Sequence, residues 1–230
     1  MSNYVALLSG GLDSTVSAFA ALKQGPVGIA LVMDYGQRAA KAEIRAAQKI
    51  AKRLDAECRV IDLPFLKQVT KTALVMNDKI IPQLKMSKLD ERSATEKSAQ
   101  DVWVPNRNGL LLNIAAAVAE GEAFSHIVVG FNAEEAATFP DNSANFVERI
   151  ERCFELSTRG KIQVFAPTLG VNKTEIVRLG LELDVPFEDI YSCYQGRKRQ
   201  CGRCESCLRS MRAFQNAGIW SRLQTRFETL

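Results

Sequence analysis

The sequence predicts a doubly wound α/β fold: a mainly parallel sheet carrying a small cysteine-rich segment at its C-terminal end. Three observations predict it. The apolar runs Tyr4–Leu8 and Val27–Met33 lack polar alternation, the pattern of strands covered on both faces, and Cys58–Leu63 reads as a third strand. Helical periodicities separate them, and a β-α-β-α-β succession lays its strands parallel. Four of the six cysteines crowd between Cys193 and Cys207. We therefore expect an α/β domain over 1–185 and a metal-binding segment with a helix over 186–230.

Composition narrows the class. A chain of 230 residues with a hydrophobic fraction of 47% can bury a core without disulfide staples. The net charge of +4 is weak; a nucleic-acid or protein partner is compatible with it but not indicated. No apolar run reaches the ~18 residues of a membrane span, and no basic leader precedes the first apolar run. The expected location is the cytoplasm, where cysteines serve as thiols or metal ligands rather than disulfides.

The first strand leads into Leu8-Ser9-Gly10-Gly11-Leu12-Asp13-Ser14-Thr15, and a helical pattern leads out over Ser14–Leu22. Two glycines let this turn approach an anion closely and take positive φ. The free N–H groups and dipole of the helix start favour negative charge there, and Ser9, Ser14 and Thr15 add hydroxyls. Asp13 would repel phosphate; it fits as a helix cap, or with a metal ion between it and the phosphate. The second strand ends in Asp34-Tyr35-Gly36-Gln37-Arg38, where ligands bind in open α/β sheets. A helix over Ala39–Leu54 follows, then the third strand and a short helix over Leu66–Val75. Met76–Gln100 shows no periodicity and reads as a long loop, either near the active site or a solvated insert.

Pro105 delays the next helix, Gly109–Glu122, and puts Arg107 and Asn108 at its first turn, where Arg107 holds an anion or pairs with an acid. A fourth strand, His126–Gly130, runs into Asn132 and Glu135; His126 lies at its start, the wrong end for catalysis. Phe139-Pro140-Asp141 is a turn, Ser143–Ser157 a helix, and Ile162–Ala166 a fifth strand. Asn172 and Glu175 form a capping-box start; Lys173 beside them either reaches phosphates or is solvated. Cys58 and Cys153 lack cysteine neighbours and read as packing residues.

Cys193, Cys201, Cys204 and Cys207 are spaced C-x7-C-x2-C-x2-C. Four thiolates leave a tetrahedral Zn²⁺ no open position, which makes a structural site; an iron–sulfur cluster is the rival. Arg197, Lys198, Arg199 and Arg203 decorate the segment as a solvated face or an anion attractor.

No Walker pattern is present. Ser9–Ser14 instead resembles the pyrophosphate loop (PP-loop) of the ATP pyrophosphatases, also called adenine nucleotide alpha-hydrolase-like enzymes. Those enzymes cleave ATP between its α and β phosphates and adenylate a carbonyl or carboxylate. Nearly end to end, the chain resembles the 7-cyano-7-deazaguanine synthases of queuosine biosynthesis. The resemblance rests on LLSGGLDSTVS, DYGQR from Asp34, VPNRN from Val104, GFN from Gly130, Pro140-Asp141, KTEIVRLGLEL from Lys173, and SCY followed by CGRCESC. It implies a C–N ligase that converts 7-carboxy-7-deazaguanine and ammonia, through an adenylate and an amide, into the nitrile. ATP, Mg²⁺, a structural Zn²⁺ and a homodimer come with it.

The residues carried over fall into three groups. Leu8 to Thr15, Asp34, Tyr35 and Gln37 would hold ATP. Ser9, Asp13, Ser14, Arg107 and Lys173 would serve catalysis, and Arg107, Asn108, Asn132, Glu135 and Asp141 the heterocycle. One stretch departs: where the family reads Asp and then Ser-Gly-Tyr-Pro-Asp-Cys-Arg, this chain has Glu135 and then Ala137-Thr138-Phe139-Pro140-Asp141-Asn142-Ser143. Coupling to a different amine, and tRNA modification, are the alternative readings.

Overall fold

The computed structural model describes residues 3–228, so residues 1, 2, 229 and 230 of the two expected spans lie outside it. Its sheet has the strand order β3-β2-β1-β4-β5: β1 (Tyr4–Leu7), β2 (Val27–Asp34), β3 (Glu57–Asp62), β4 (His126–Val128) and β5 (Gln163–Phe165). All four pairings are parallel. Strand order reverses between β1 and β4, which opens a crevice at their C-terminal ends.

The unbroken apolar runs have a direct physical cause. Tyr4, Ala6, Leu8, Ala30 and Val32 point into one buried cluster, with Ile50 and Leu54 against them. Val5, Ile29, Leu31 and Met33 point into the other. That second cluster also takes in Cys193, Met211 and Phe214, so the C-terminal segment packs on the α/β layers directly.

The helices follow their caps. α1 (Leu12–Leu22) starts straight after Gly11, and α2 (Ala40–Arg53) after Ala39. α3 spans Pro64–Val69, shorter than predicted. The chain beyond it turns and is tied to Arg38, whose backbone N–H donates to Leu74 and whose guanidinium donates to the carbonyls of Met76 and Lys79.

The expected loop over Met76–Gln100 is corrected: it contains a 3₁₀ turn at Met86–Lys88 and α4 (Arg92–Val102). The buried stripe of α4 is Thr95, Ser98, Ala99 and Val102. That is helical spacing built from small and hydroxyl residues, which carry little hydrophobic signal. Asn106, left-handed at φ 50°, starts α5 (Arg107–Gly121).

After β4 come the short α6 (Ala133–Ala136), a turn at Pro140–Asn142, and α7 (Ala144–Ser157), capped by Ser143. Both halves of the capping box of α8 (Lys173–Glu182) are present: Asn172 Oδ1 accepts from the N–H groups of Thr174 and Glu175, and Glu175 accepts from the N–H of Asn172. α9 (Glu205–Asn216) begins within the cysteine segment and α10 (Trp220–Leu223) follows it. His126 stacks obliquely on Tyr4 with ring centroids 4.9 Å apart, at the sheet end away from the crevice. Cys153 is exposed on α7, contrary to its reading as a packing residue. No helix among the described residues is long and apolar enough to cross a membrane.

Gly10 has the strictest requirement in the first turn. Its φ is +75°, and a Cβ there would lie 2.8 Å from both Ala46 Cβ and Ala47 N of α2. Gly10→Ala should therefore lose about 3 kcal/mol or more, from strain and overpacking together. Gly11, with φ −78° and Ser9 Oγ 3.2 Å from a notional Cβ, should tolerate alanine within about 1 kcal/mol. Urea unfolding of both nucleotide-free variants checks the contrast.

Candidate active site

A cleft of about 260 Å³ lies at the C-terminal ends of β1, β2 and β4. Its floor is the turn from Leu8 to Ser14. Within that turn Ser9 Oγ accepts from the Gly11 N–H at 3.2 Å and lies 3.0 Å from Ser14 Oγ. Gly130 packs on the same turn: a Cβ at that position would lie 2.4 Å from Ser14 N, so only glycine brings the end of β4 so close.

At the floor sits a charge triad built on a buried lysine. Lys173 Nζ, at the start of α8, donates to Asp13 Oδ2 at 2.5 Å and to Glu135 Oε1 at 2.9 Å. The lysine is 4% exposed, which excludes a solvated side chain. Burial alone would favour neutral lysine; the charges of Asp13 and Glu135 reverse this and hold its pKa above the ordinary value. Glu135 is pushed up by burial but pulled below the carboxylate range by Lys173. Asp13 is pushed up to about 6, because burial outweighs Lys173 and the charge of Glu135 adds to it. Two carboxylates share one ammonium, so the triad holds a net negative charge.

The rest of the predicted set divides. Ser9, Gly11, Leu12, Asp13, Ser14, Tyr35, Gln37, Arg107, Asn108 and Glu135 line the cleft with Leu8. Gly10, Thr15, Asp34, Asn132, Asp141 and Lys173 stand behind that lining. Thr15 and Asn132 are fully buried, and Asn132 caps α6 by accepting from the Glu135 N–H. Asp34 accepts from the Gly36 N–H. Gln37 faces inward: its Oε1 accepts from the Tyr35 N–H, and its Nε2 donates to Met33 O and Glu43 Oε2. It orients Tyr35 and Glu43 and has no free amide group to present. Arg107 donates to Tyr35 Oη at 3.3 Å, and Asn108 donates to Asp141 O at 3.4 Å.

Several lining residues were not foreseen: Glu43, Glu134, Ser192, Tyr194, Glu205 and Arg209. Glu43 carried a faint signal as the acid in the first turn of α2. The last four come from the cysteine segment, and no local pattern places that segment against the first turn. Arg209 bridges Glu205 at 2.9 Å and Glu134 at 2.6 Å, which fastens α9 to α6.

The ligand atoms of Cys193, Cys201, Cys204 and Cys207 lie within 4.8 Å of one another, and all four residues are buried. Thiolates around one tetrahedral ion with ~2.3 Å bonds sit ~3.8 Å apart; Cys201 and Cys207 Sγ are 3.9 Å apart. Backbone N–H groups of Gln195 and Cys201 donate to Cys193 Sγ, and those of Arg203 and Cys204 to Cys201 Sγ. Such donors offset thiolate charge and orient the ligands. The cage fits a single ion; a multi-iron cluster, with a thiolate on each corner, needs a wider one.

Comparison with known proteins supplies the family. The family model "Queuosine biosynthesis protein QueC" matches residues 3–218. The chain belongs to the QueC family. Within it, the 7-cyano-7-deazaguanine synthase of Pelotomaculum thermopropionicum is 50% identical over 215 residues, covering 94% of this chain and 97% of the relative. That of Methanosarcina mazei is 44% identical over 218 residues, with 94% of each chain covered. Among solved structures, the U34-tRNA thiolase NcsA of Methanococcus maripaludis, with its 4Fe-4S cluster, gives a TM-score of 0.50 at 15% identity. It covers 99% of this QueC chain and 74% of its own, and the likeness is one of fold.

Two outcomes follow from this geometry. In the unfolded chain Asp13 titrates near ~3.9, against about 6 in the fold. Between those values the folded state binds the extra proton, so its stability falls as pH rises from about 4 to 6. Asp13→Asn removes that dependence. Its stability relative to the parent should climb over this range by up to about 3 kcal/mol, read by urea unfolding without nucleotide. Cys204→Ser should lose stoichiometric metal by elemental analysis and lower Tm by roughly 10 °C or more, since an ion in this cage would order a wall of the cleft.

Proposed function

We propose that this protein is a cytoplasmic C–N ligase that makes 7-cyano-7-deazaguanine from 7-carboxy-7-deazaguanine and ammonia, cleaving ATP to AMP and pyrophosphate. The support is the placement of Ser9–Ser14, Arg107 and Glu135 around one cleft, in a chain half identical to a synthase of that name. Backbone N–H groups at the start of α1, with the Ser9 and Ser14 hydroxyls, hold the β and γ phosphates as they leave. The substrate carboxylate attacks the α phosphorus. Ammonia then displaces AMP to give the amide; a second ATP adenylates the amide oxygen with release of pyrophosphate, and that oxygen leaves with AMP as the nitrogen gives up its two protons to form the nitrile.

Each remaining residue has a defined task. Arg107, half-buried beside Tyr35, pairs with the carboxylate or the α phosphate and orients attack. Lys173 keeps Asp13 and Glu135 in register. Asp13 has one buried oxygen, Oδ1, without a hydrogen-bond partner; an acceptor so placed fits Mg²⁺, which offsets phosphate charge when bound. Asn108, with Phe139 and Asn142, bounds the side of the cleft where the heterocycle lies. Zn²⁺ in the four-cysteine cage has no open position and serves structure. A homodimer is the proposed assembly.

A second reading, the same activation with another amine, draws on the residues between Glu135 and Phe139, where Ala137 and Thr138 give the loop fewer polar groups to read the base. Mass spectrometry of the metal-loaded protein with ATP, Mg²⁺, ammonium and 7-carboxy-7-deazaguanine decides. Nitrile with AMP is expected. AMP with the amide alone removes the dehydration step, and no AMP at all overturns the reading. Arg107→Ala should lower kcat/KM about 10²-fold or more while the fold persists by circular dichroism.

A further inference from the structure

Ser192 precedes the first cysteine of the cage and reaches back to the opposite end of the chain. Its Oγ accepts from the N–H of Leu12, the first residue of α1, at 3.3 Å. It lines the cleft together with Ser9 and Ser14. The two leading N–H groups of the helix are thus met by two hydroxyls: Gly11 by Ser9 from within the turn, and Leu12 by Ser192 from outside it.

We infer that Ser192 is a ligand of the pyrophosphate portion of ATP, a third hydroxyl supplied to the cradle by the cysteine segment; this rests on the nucleotide reading above. A serine hydroxyl that accepts from an N–H keeps its own proton to donate. Here that proton is the group offered to a phosphate oxygen at the start of α1, where the dipole already favours negative charge.

The placement of Ser192 is fixed from both sides. Tyr191 N–H donates to Gly10 O at 2.8 Å, and Ser192 N–H donates to Gln200 Oε1 at 2.9 Å. Gln200 is buried, and its own N–H donates to Arg226 O. The next residue, Cys193, receives N–H bonds at its sulfur from Gln195 and Cys201. A metal ion that orders those sulfurs orders Ser192 at the phosphates as well.

Calorimetric titration of metal-loaded protein with Mg²⁺–ATP, pyrophosphate and AMP tests this in the parent, Ser192→Ala and Ser192→Thr. Loss of a hydrogen bond to a charged group corresponds to a weakening of about tenfold or more. The expected result is that weakening for ATP and pyrophosphate in Ser192→Ala, unchanged AMP affinity, and recovery in Ser192→Thr, which keeps a hydroxyl. Metal content and Tm confirm that each variant is folded. A Ser192→Ala protein that binds pyrophosphate as the parent does overturns the inference, and the hydroxyl then only caps α1. A loss of ATP, pyrophosphate and AMP affinity alike also overturns it, in favour of general disorder of the cleft. If Ser192→Ala does not fold, Ser192→Thr with parental fold but without recovered pyrophosphate binding overturns it equally. A parent that binds neither ATP nor pyrophosphate sinks the nucleotide reading itself, and this inference with it.

Discussion

A single buried ammonium holds the site together. Lys173 lies between Asp13 on α1 and Glu135 on α6, and its own N–H donates to Glu134. Three segments distant in sequence meet at that nitrogen, and α8 must begin within a narrow tolerance to deliver it. The capping box at Asn172 and Glu175 fixes that start. Close packing fixes the rest of the helix: a Cβ on Gly180 would lie 3.0 Å from Val16 Cγ2 and 2.7 Å from Phe187 Cζ. Burying a lysine under two half-buried carboxylates is a poor route to stability, since desolvation opposes it and one negative charge stays uncompensated. Such a cluster is better understood as part of the proposed nucleotide site than as a stabilising pair.

The second wall of the cleft depends on a different kind of force. From Cys193 to Cys207 the chain makes one isolated bridge, Gln83 with Cys204, another at Gln200, and few regular hydrogen bonds. Apolar burial alone would hold so irregular a segment loosely. Four thiolates on one ion would hold it tightly, and the cage's neighbours Ser192, Tyr194, Glu205 and Arg209 face the cleft. The Arg209–Glu134 pair then carries that order to α6. The four-cysteine cage and the cleft thereby share one wall.

The strands, the first turn, the cap at Asn172 and the cysteine cage were legible because each is a local pattern: apolar runs, glycines beside hydroxyls, a box spanning three residues, a thiol spacing. What escaped was of two sorts. α4 escaped because Thr95, Ser98 and Ala99 bury a face without large apolar side chains. The cysteine-side lining escaped because its position is a matter of tertiary packing. The bond between Leu12 and Ser192 joins residues 180 positions apart. Gln37 and Gly10 were legible as special, but not their packing: Gln37 satisfies its amide on Tyr35, Met33 and Glu43, and Gly10, with the positive φ expected of it, is also required by the approach of α2.

The departure at Glu135 acquires a physical meaning from Lys173. A glutamate is one methylene longer than the aspartate usual there, and its Oε1 reaches the lysine while the residue still lines the cleft. The loop's carboxylate is therefore tied to the first turn through the lysine. Any change in the charge or position of Asp13 is felt at Glu135, because both carboxylates draw on the same ammonium. The start of α1 and the start of α6 are in this way linked through a single shared charge.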